Sequence, residues 1–442
     1  MTSSGTAATD PKEMLRSKEY RRLLVLAAIV GLLVSLASWA FLEVIHWTQV
    51  GLYEDLPEQL GLDAVPWWWP LPILAVAGVL TAIAVVRLPG RGGHVPYEGI
   101  KGGVTLPNAV PGVLLAALAS LGMGLVLGPE APLIALGTGL AIFAVKRLKK
   151  DTPDRALQVI AASAAFAALA SVFGSPVVGA VILIEAAGLG GAMLPLILLP
   201  GLMAAGIGSL VFIGLNGWVG LNNSDYALSP FTLPAYTSPS FAAFGWTIVL
   251  SVGAALVTYG ILRLSHLSAV RVSHRPWVLI PTAAVLVGVI AVVFAALSDM
   301  SANAVLFSGE SAFTDLLDPS ADIALGTLAL LLVCKALAWA LSMGSFRGGP
   351  TFPALFVGAV AGLMAADLPG FSETPAVAAL MAATAVAVLR LPLSAVVITL
   401  LLTGSAGAAV APIVIVAVVV AYITIESLPD RTSDAIASDS QA

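Results

Sequence analysis

An all-α polytopic membrane protein with interrupted helices is the fold class this sequence predicts, and three observations carry it. The 442 residues are 59% hydrophobic and only 10% charged, with a mean hydropathy of +1.00. A soluble domain carries about 25% charged residues, so this chain has more apolar surface than a water-soluble globule can hide. Apolar segments recur along its whole length, and many are cut by Gly or Pro or are too short for a ~20-residue span. Broken backbone at membrane depth is tolerated only where it is buried in protein or lines a cavity, which suits a transporter or channel better than a simple bundle. Finally, Gly128-Pro129-Glu130-Ala131-Pro132 sets one carboxylate in a long apolar region, with no other ionisable side chain between residues 104 and 145. A charge there costs several kcal/mol unless something compensates it.

The elements follow in order. Residues 1–22 are polar and include Lys12, Arg16, Lys18, Arg21 and Arg22. The apolar run over 23–45, interrupted at Glu43, exceeds the about 7–15 residues of a signal-peptide core and reads as a retained first membrane helix behind a cytoplasmic N-terminal segment. A first membrane repeat over 23–215 continues with apolar segments at 67–86, 109–127, 132–145, 157–184 and 194–215. Trp67-Trp68-Trp69 before Pro70 marks an interfacial belt or a core aromatic cluster. Two basic loops, Lys146-Arg147-Leu148-Lys149-Lys150 with Arg155 and then Arg263, Arg271 and Arg275, are expected on the cytoplasmic side. Residues 216–240 lack Lys and Arg and read as an external linker. A second membrane repeat over 241–428 follows, with segments at 241–262, 278–297, 323–343, 351–366, 376–389 and 393–424. The Ser-, Asp- and Ala-rich residues 429–442 read as a disordered tail.

Composition also excludes chemistry. Cys334 stands alone, which rules out an internal disulfide and a Cys-based metal site, and the four histidines are scattered without ligand spacing. No metal and no cofactor are expected. The net charge of −5 comes largely from loops and the tail and assigns no nucleic-acid partner; the lipid bilayer is the expected surroundings.

The halves repeat each other. Gly128-Pro129-Glu130-Ala131-Pro132 with Gly137 has the pattern G-P-x-x-P-x4-G, and Gly349-Pro350-Thr351-Phe352-Pro353 with Gly358 has the same pattern 221 positions later. Pro176-Val177-Val178-Gly179-Ala180-Val181-Ile182 matches Pro392-Leu393-Ser394-Ala395-Val396-Val397-Ile398 in the same order. Two ordered matches indicate a duplicated fold, with the substrate site between the repeats near mid-membrane. The motifs alone leave open whether the repeats are inverted.

Four stretches of broken helix carry the chemistry: Gly90-Arg91-Gly92-Gly93-His94-Val95-Pro96, Gly128 to Pro132, Gly348 to Pro353, and Pro392 with Gly404. Gly lets backbone approach an ion, and Pro near a helix start forfeits no hydrogen bond. Helix N-termini, each with about half a positive charge, can hold a dehydrated anion without a fixed Lys or Arg that would release it slowly. The candidate anion-binding residues are therefore Gly92, Gly93, His94, Val95 and Pro96; Gly128, Pro129, Ala131 and Pro132; and Gly349, Pro350, Thr351, Phe352 and Pro353, with Glu130 competing for the site. A Glu that merely caps its own helix is the plainer reading.

This ordered set resembles the CLC family of chloride channels and chloride/proton antiporters. Gly92-Gly93-His94-Val95-Pro96 stands where the family has G-S-G-I-P, and Gly128 to Pro132 resembles G-[KR]-E-G-P. Phe173-Gly174-Ser175-Pro176-Val177-Val178-Gly179 through Glu185 resembles F-x-A-P-x-x-G…E; Lys335 with Gly348 to Pro353 resembles K…G-G-x-F-x-P; Arg390-Leu391-Pro392-Leu393-Ser394-Ala395 resembles R-x-P-L-[TS]-[AG]. The match spans roughly residues 20–428 and suits a divergent prokaryotic-type member without a C-terminal regulatory domain. The resemblance implies an inverted repeat of broken and tilted helices and a homodimer with one pore per subunit. It also implies transport of chloride or a similar anion, possibly with protons, as a voltage-gated channel or an antiporter in a bacterial plasma membrane. Glu130 falls on the gating glutamate.

The departures matter equally. Gly93 replaces the family's central-site Ser, with His94 beside it as a donor or a plain loop residue. Thr351 falls where the family has a conserved Phe. Glu185 aligns with the first of two carboxylates common in antiporters, and the second, the usual proton-transfer position, is Ala186. Glu185 is thus a possible proton relay or a structural carboxylate. Lys335 and Arg390 are expected to pair with carboxylates or cap helix C-termini, and Arg347 reads as a positive pathway mouth or a plain loop charge. Two other functions compete: a secondary transporter for another small anion or solute, which shares the broken helices but not the ordered motifs, and an intramembrane hydrolase. The second lacks both G-x-S-x-G and H-E-x-x-H, so an enzyme is not expected.

Overall fold

The computed structural model describes residues 15–62, 65–100, 103–148, 151–188, 194–219, 230–310, 312–317 and 323–429. Most of the N-terminal segment over 1–22, the centre of the linker over 216–240 and nearly all of the tail over 429–442 lie outside the described residues. Among those described, the regular elements are helical, and the one β feature is an isolated antiparallel bridge between Gly128 and Gly349.

Seven long helices precede the linker: α1 (Lys18–Val50), α2 (Pro70–Arg87), α3 (Val110–Leu121), α4 (Glu130–Leu148), α5 (Asp154–Val172), α6 (Pro176–Ala186) and α7 (Leu194–Val219). Seven follow it: α8 (Phe241–His274), α9 (Pro276–Leu297), α10 (Leu325–Ser345), α11 (Thr351–Ala365), α12 (Glu373–Leu389), α13 (Pro392–Leu402) and α14 (Ala411–Glu426). Two pairs of helices carry the matched motifs at their starts. The matched sequence motifs open α4 and α11, and they open α6 and α13, each of 11 residues and each with Pro in its first turn. Among the described residues, eight helices are long and apolar enough to cross a membrane.

Gly and Pro cut the long apolar runs where their chemistry requires. The run over 157–184 is split at Phe173 to Ser175, where Ser175 accepts a hydrogen bond from the Val178 N–H and Pro176 starts α6. The run over 393–424 is split by two short 3-10 turns around Gly407, whose φ is 100°. Two boundaries shift. Helix α1 begins at Lys18, inside the expected polar segment, and α7 runs to Val219, past the expected start of the linker.

The chain divides into two compact units that do not follow the two halves. One comprises residues 1–39, 102–107 and 133–223, and the other residues 40–101, 108–132 and 224–442. In the first, α7 lies along α5 with α6 against both. The Tyr20 hydroxyl donates to the carbonyls of Pro195 and Leu196, which ties α1 to the start of α7. In the second, α12 is buried at every residue from Thr374 to Leu389, packed by α8, α11, α13 and α14. A helix buried all round needs no polar face, and its Ala-rich sequence lets neighbours approach closely.

The outward residues fit lipid. Val25, Ile29, Leu32, Leu33 and Leu36 of α1 are exposed, as are Ile248, Val249, Leu256 and Val257 of α8. In the Trp cluster, Trp67 and Trp68 are exposed, whereas Trp69 is buried and donates its indole N–H to the Leu52 carbonyl at 2.9 Å.

Candidate anion site

Helix α4 begins at Glu130 and α11 at Thr351, because each follows a Gly-Pro pair that cannot continue a helix inward from the preceding chain. The two entry strands meet. The Gly128 N–H donates to the Gly349 carbonyl at 2.7 Å, and the Gly349 N–H donates to the Gly128 carbonyl at 2.5 Å. These are equivalent residues of the two repeats, so the reciprocal pair sets a local two-fold relationship between the two helix starts. Around it, the Val126 N–H donates to Ser342 Oγ at 3.2 Å and the Arg347 N–H to Ser120 Oγ at 3.3 Å.

The Glu130 side chain folds into this crossing. It is fully buried, and its Oε1 accepts from the Thr351 N–H at 3.1 Å, at the N-terminus of α11. A carboxylate there is favoured by the unpaired amides and the positive end of the helix dipole. Its Oε2 is buried without a hydrogen-bond partner, and so is Thr351 Oγ1. Glycine makes the seat. A Cβ on either Gly128 or Gly349 would overlap the Glu130 carboxyl group. Phe352 and Pro353 are buried in the first turn of α11. The start of α11 therefore holds the Glu130 carboxyl group, and the residue's own backbone amide at the start of α4 also contacts it.

The Gly90–Pro96 stretch is held by backbone geometry that glycine permits. Gly90, Arg91, Gly92 and Gly93 all have positive φ, and Gly93 lies at φ 95°, ψ −166°. Gly92 is buried against Arg347; a Cβ there would lie 3.3 Å from Arg347 Cγ. His94 is exposed, and Pro96 is buried in a short 3-10 turn capped by Val95. The structure therefore brings together Gly128, Glu130, Gly349, Thr351 and Phe352, and it links Gly92 to Arg347, two residues before Gly349. Glu185 lies in the last turn of α6, partly exposed, in the first unit.

Three charged residues find defined places. Lys335 is fully buried, donates to the carbonyls of Ala304, Leu306 and Phe307, and sits 4.6 Å from the Phe356 ring centroid. It caps the end of a 3-10 turn, and among the described residues its hydrogen-bond partners are carbonyls and not a carboxylate. Arg390, in the left-handed region at the end of α12, pairs with Glu426 of α14. Arg347 is 8% exposed, a burial that the sequence did not signal.

Residues 96–426 match the voltage-gated chloride channel family. The ion-transport protein YfeO of Salmonella choleraesuis is 28% identical over 347 residues, covering 76% of this chain and 79% of that protein. YfeO of Salmonella paratyphi A is 27% identical with the same coverage. Among solved structures, a slow cyanobacterial Cl−/H+ antiporter aligns with a TM-score of 0.77 at 19% identity, covering 92% of this chain and 94% of that one. A CLC-type fluoride/proton antiporter aligns at 0.66 and 17% identity, covering 92% and 95%. At such identities these likenesses speak for the fold, an inverted repeat of broken helices. The family match spans most of the chain and takes in both helix starts that meet at Glu130; the chain belongs to the CLC family, a multi-pass membrane protein that is a channel or transporter and not an enzyme.

Proposed function

We propose that the protein carries chloride or a similar small anion across a bacterial plasma membrane, with Glu130 as the gate. The observation that supports this reading is the buried Glu130 carboxylate hydrogen-bonded to the Thr351 N–H where an anion would sit. Ionised, it occupies the site; protonated or outcompeted, it yields the amides to the anion. The cradle is the starts of α4 and α11 with Gly128, Pro129, Ala131, Pro132, Gly349, Pro350, Thr351, Phe352 and Pro353, approached along Gly92, Gly93, His94, Val95 and Pro96. Protons reach Glu130 directly or by a relay that includes Glu185, since Ala186 offers no carboxyl. The working unit is a homodimer with cytoplasmic N-termini, and flux responds to voltage.

Purified protein in chloride-loaded liposomes tests this. Chloride efflux on adding valinomycin is the expected result, and its absence overturns the reading. Recording external pH in the same vesicles separates the two modes: uphill proton movement driven by a chloride gradient identifies an antiporter, and none identifies a channel. A second reading, transport of a different halide or small anion, is favoured by Gly93 standing where the family has a Ser hydroxyl; fluoride and chloride efflux measured side by side distinguish the two.

A further inference from the structure

We propose that the guanidinium of Arg347, beside the Gly92–Gly93 turn, forms a second anion site that takes small planar oxyanions in preference to spherical halides. The inference rests on the anion-transport reading and names what distinguishes this chain's pathway. Arg347 immediately precedes Gly348-Gly349, two residues from the crossing that holds Glu130. Its side chain is more than nine-tenths buried. Nη1 donates to the neighbouring Phe346 carbonyl at 3.0 Å, while Nε is buried and has no hydrogen-bond partner. A buried guanidinium donor left open is costly, and a bound anion would satisfy it.

The surroundings suit that ligand. Gly92 packs directly on the arginine stem and fixes its course, since a Cβ there would crowd Cγ at 3.3 Å. Arg91 adds a second positive charge in the vicinity, and Glu98 is the nearby carboxylate that an incoming anion must outcompete. Gly93 supplies no hydroxyl, so the charged donor comes from the second repeat, from Arg347, and not from a side chain of the Gly92–Pro96 loop. A guanidinium presents a rigid planar fork that matches two oxygens of a carboxylate-like group, whereas a halide can use only one point of it. One additional charge-assisted hydrogen bond corresponds to roughly tenfold in affinity. A full positive charge also holds its ligand longer than backbone amides do, which makes slow turnover a property of this site.

The test is isothermal titration of the full-length protein in detergent with sodium nitrate and with sodium chloride, paired with nitrate and chloride efflux from liposomes. The unaltered protein is expected to bind nitrate about tenfold more tightly than chloride. Arg347→Lys, which keeps the charge and loses the fork, is expected to bring that ratio close to one while the protein still unfolds cooperatively at a similar temperature. Equal affinity for the two ions in the unaltered protein overturns the proposal without recourse to any variant. A ratio unchanged in Arg347→Lys also overturns it and assigns Arg347 a structural role. Neither result touches the anion-transport reading, which the chloride-efflux assay tests separately.

Discussion

Gly128 and Gly349, equivalent residues of the two repeats, exchange both of their backbone hydrogen bonds, and the Glu130 carboxyl group lies in the space that neither glycine fills. Neither glycine has a positive φ, so alanine is conformationally acceptable at both. The nearest atoms that an alanine methyl would meet at either position belong to the Glu130 side chain itself. Gly128→Ala and Gly349→Ala are therefore expected to expel the carboxylate and leave the fold intact. Both should raise anion flux at neutral pH toward that of Glu130→Gln. Chloride efflux from liposomes, with thermal unfolding as a folding control, reads this directly; normal flux in both alanine variants refutes the occlusion.

Acid acts on the same seat. Ionised Glu130 is attracted to the Thr351 N–H and the positive end of α11, and protonation removes most of that attraction. Lowering the pH is therefore expected to speed efflux by relieving the block. Glu130→Gln, which cannot ionise, is expected to hold flux constant across the same pH range. A pH series of efflux rates on both proteins checks this, and a parallel response in the two would place the sensing group elsewhere.

Much of this was legible in sequence because it depends on residue types that backbone geometry dictates. Gly-Pro pairs announce helix starts, so the recurrence of Gly128 to Pro132 at Gly349 to Pro353 gave the register in which α4 and α11 meet. The proline openings of α6 and α13 were legible for the same reason. What lay beyond reach depended on three-dimensional neighbours. Lys335 reads in sequence as a charge in need of a carboxylate or a helix end; three carbonyls and a ring satisfy it, and carbonyl lone pairs leave no sequence signature. Arg347 reads as a positive pathway mouth or a plain loop charge, because nothing local marks its burial beside Gly92. Gly93 reads as a lost hydroxyl, whereas its φ of 95° shows that the backbone itself requires glycine.

Lys335 is a structural pin. It draws together the carbonyls of Ala304, Leu306 and Phe307, and Phe307 in turn donates its N–H to the Gly124 carbonyl at 3.0 Å, on the chain leading to Gly128. Replacing it with Met leaves buried carbonyls without donors at a cost on the order of 3 kcal/mol. Lys335→Met is expected to unfold at a lower temperature in detergent, with chloride selectivity unchanged in the surviving protein. Unaltered thermal stability would show that the carbonyls find other donors.

Restoring a hydroxyl at Gly93 tests whether the missing serine alone accounts for this pathway. At φ 95° and ψ −166° the position lies outside the regions open to L side chains, and forcing one there costs about 1–3 kcal/mol. A Cβ would also press on Val113 at 3.3 Å. Gly93→Ser and Gly93→Ala should therefore lose thermal stability equally, since the strain belongs to Cβ and not to the hydroxyl. Their chloride-to-nitrate preference should also agree, because in this chain the donor is Arg347. A serine variant that departs from the alanine variant in anion preference would return the donor role to the Gly92–Pro96 loop, and comparison of the two by efflux with each anion decides the point.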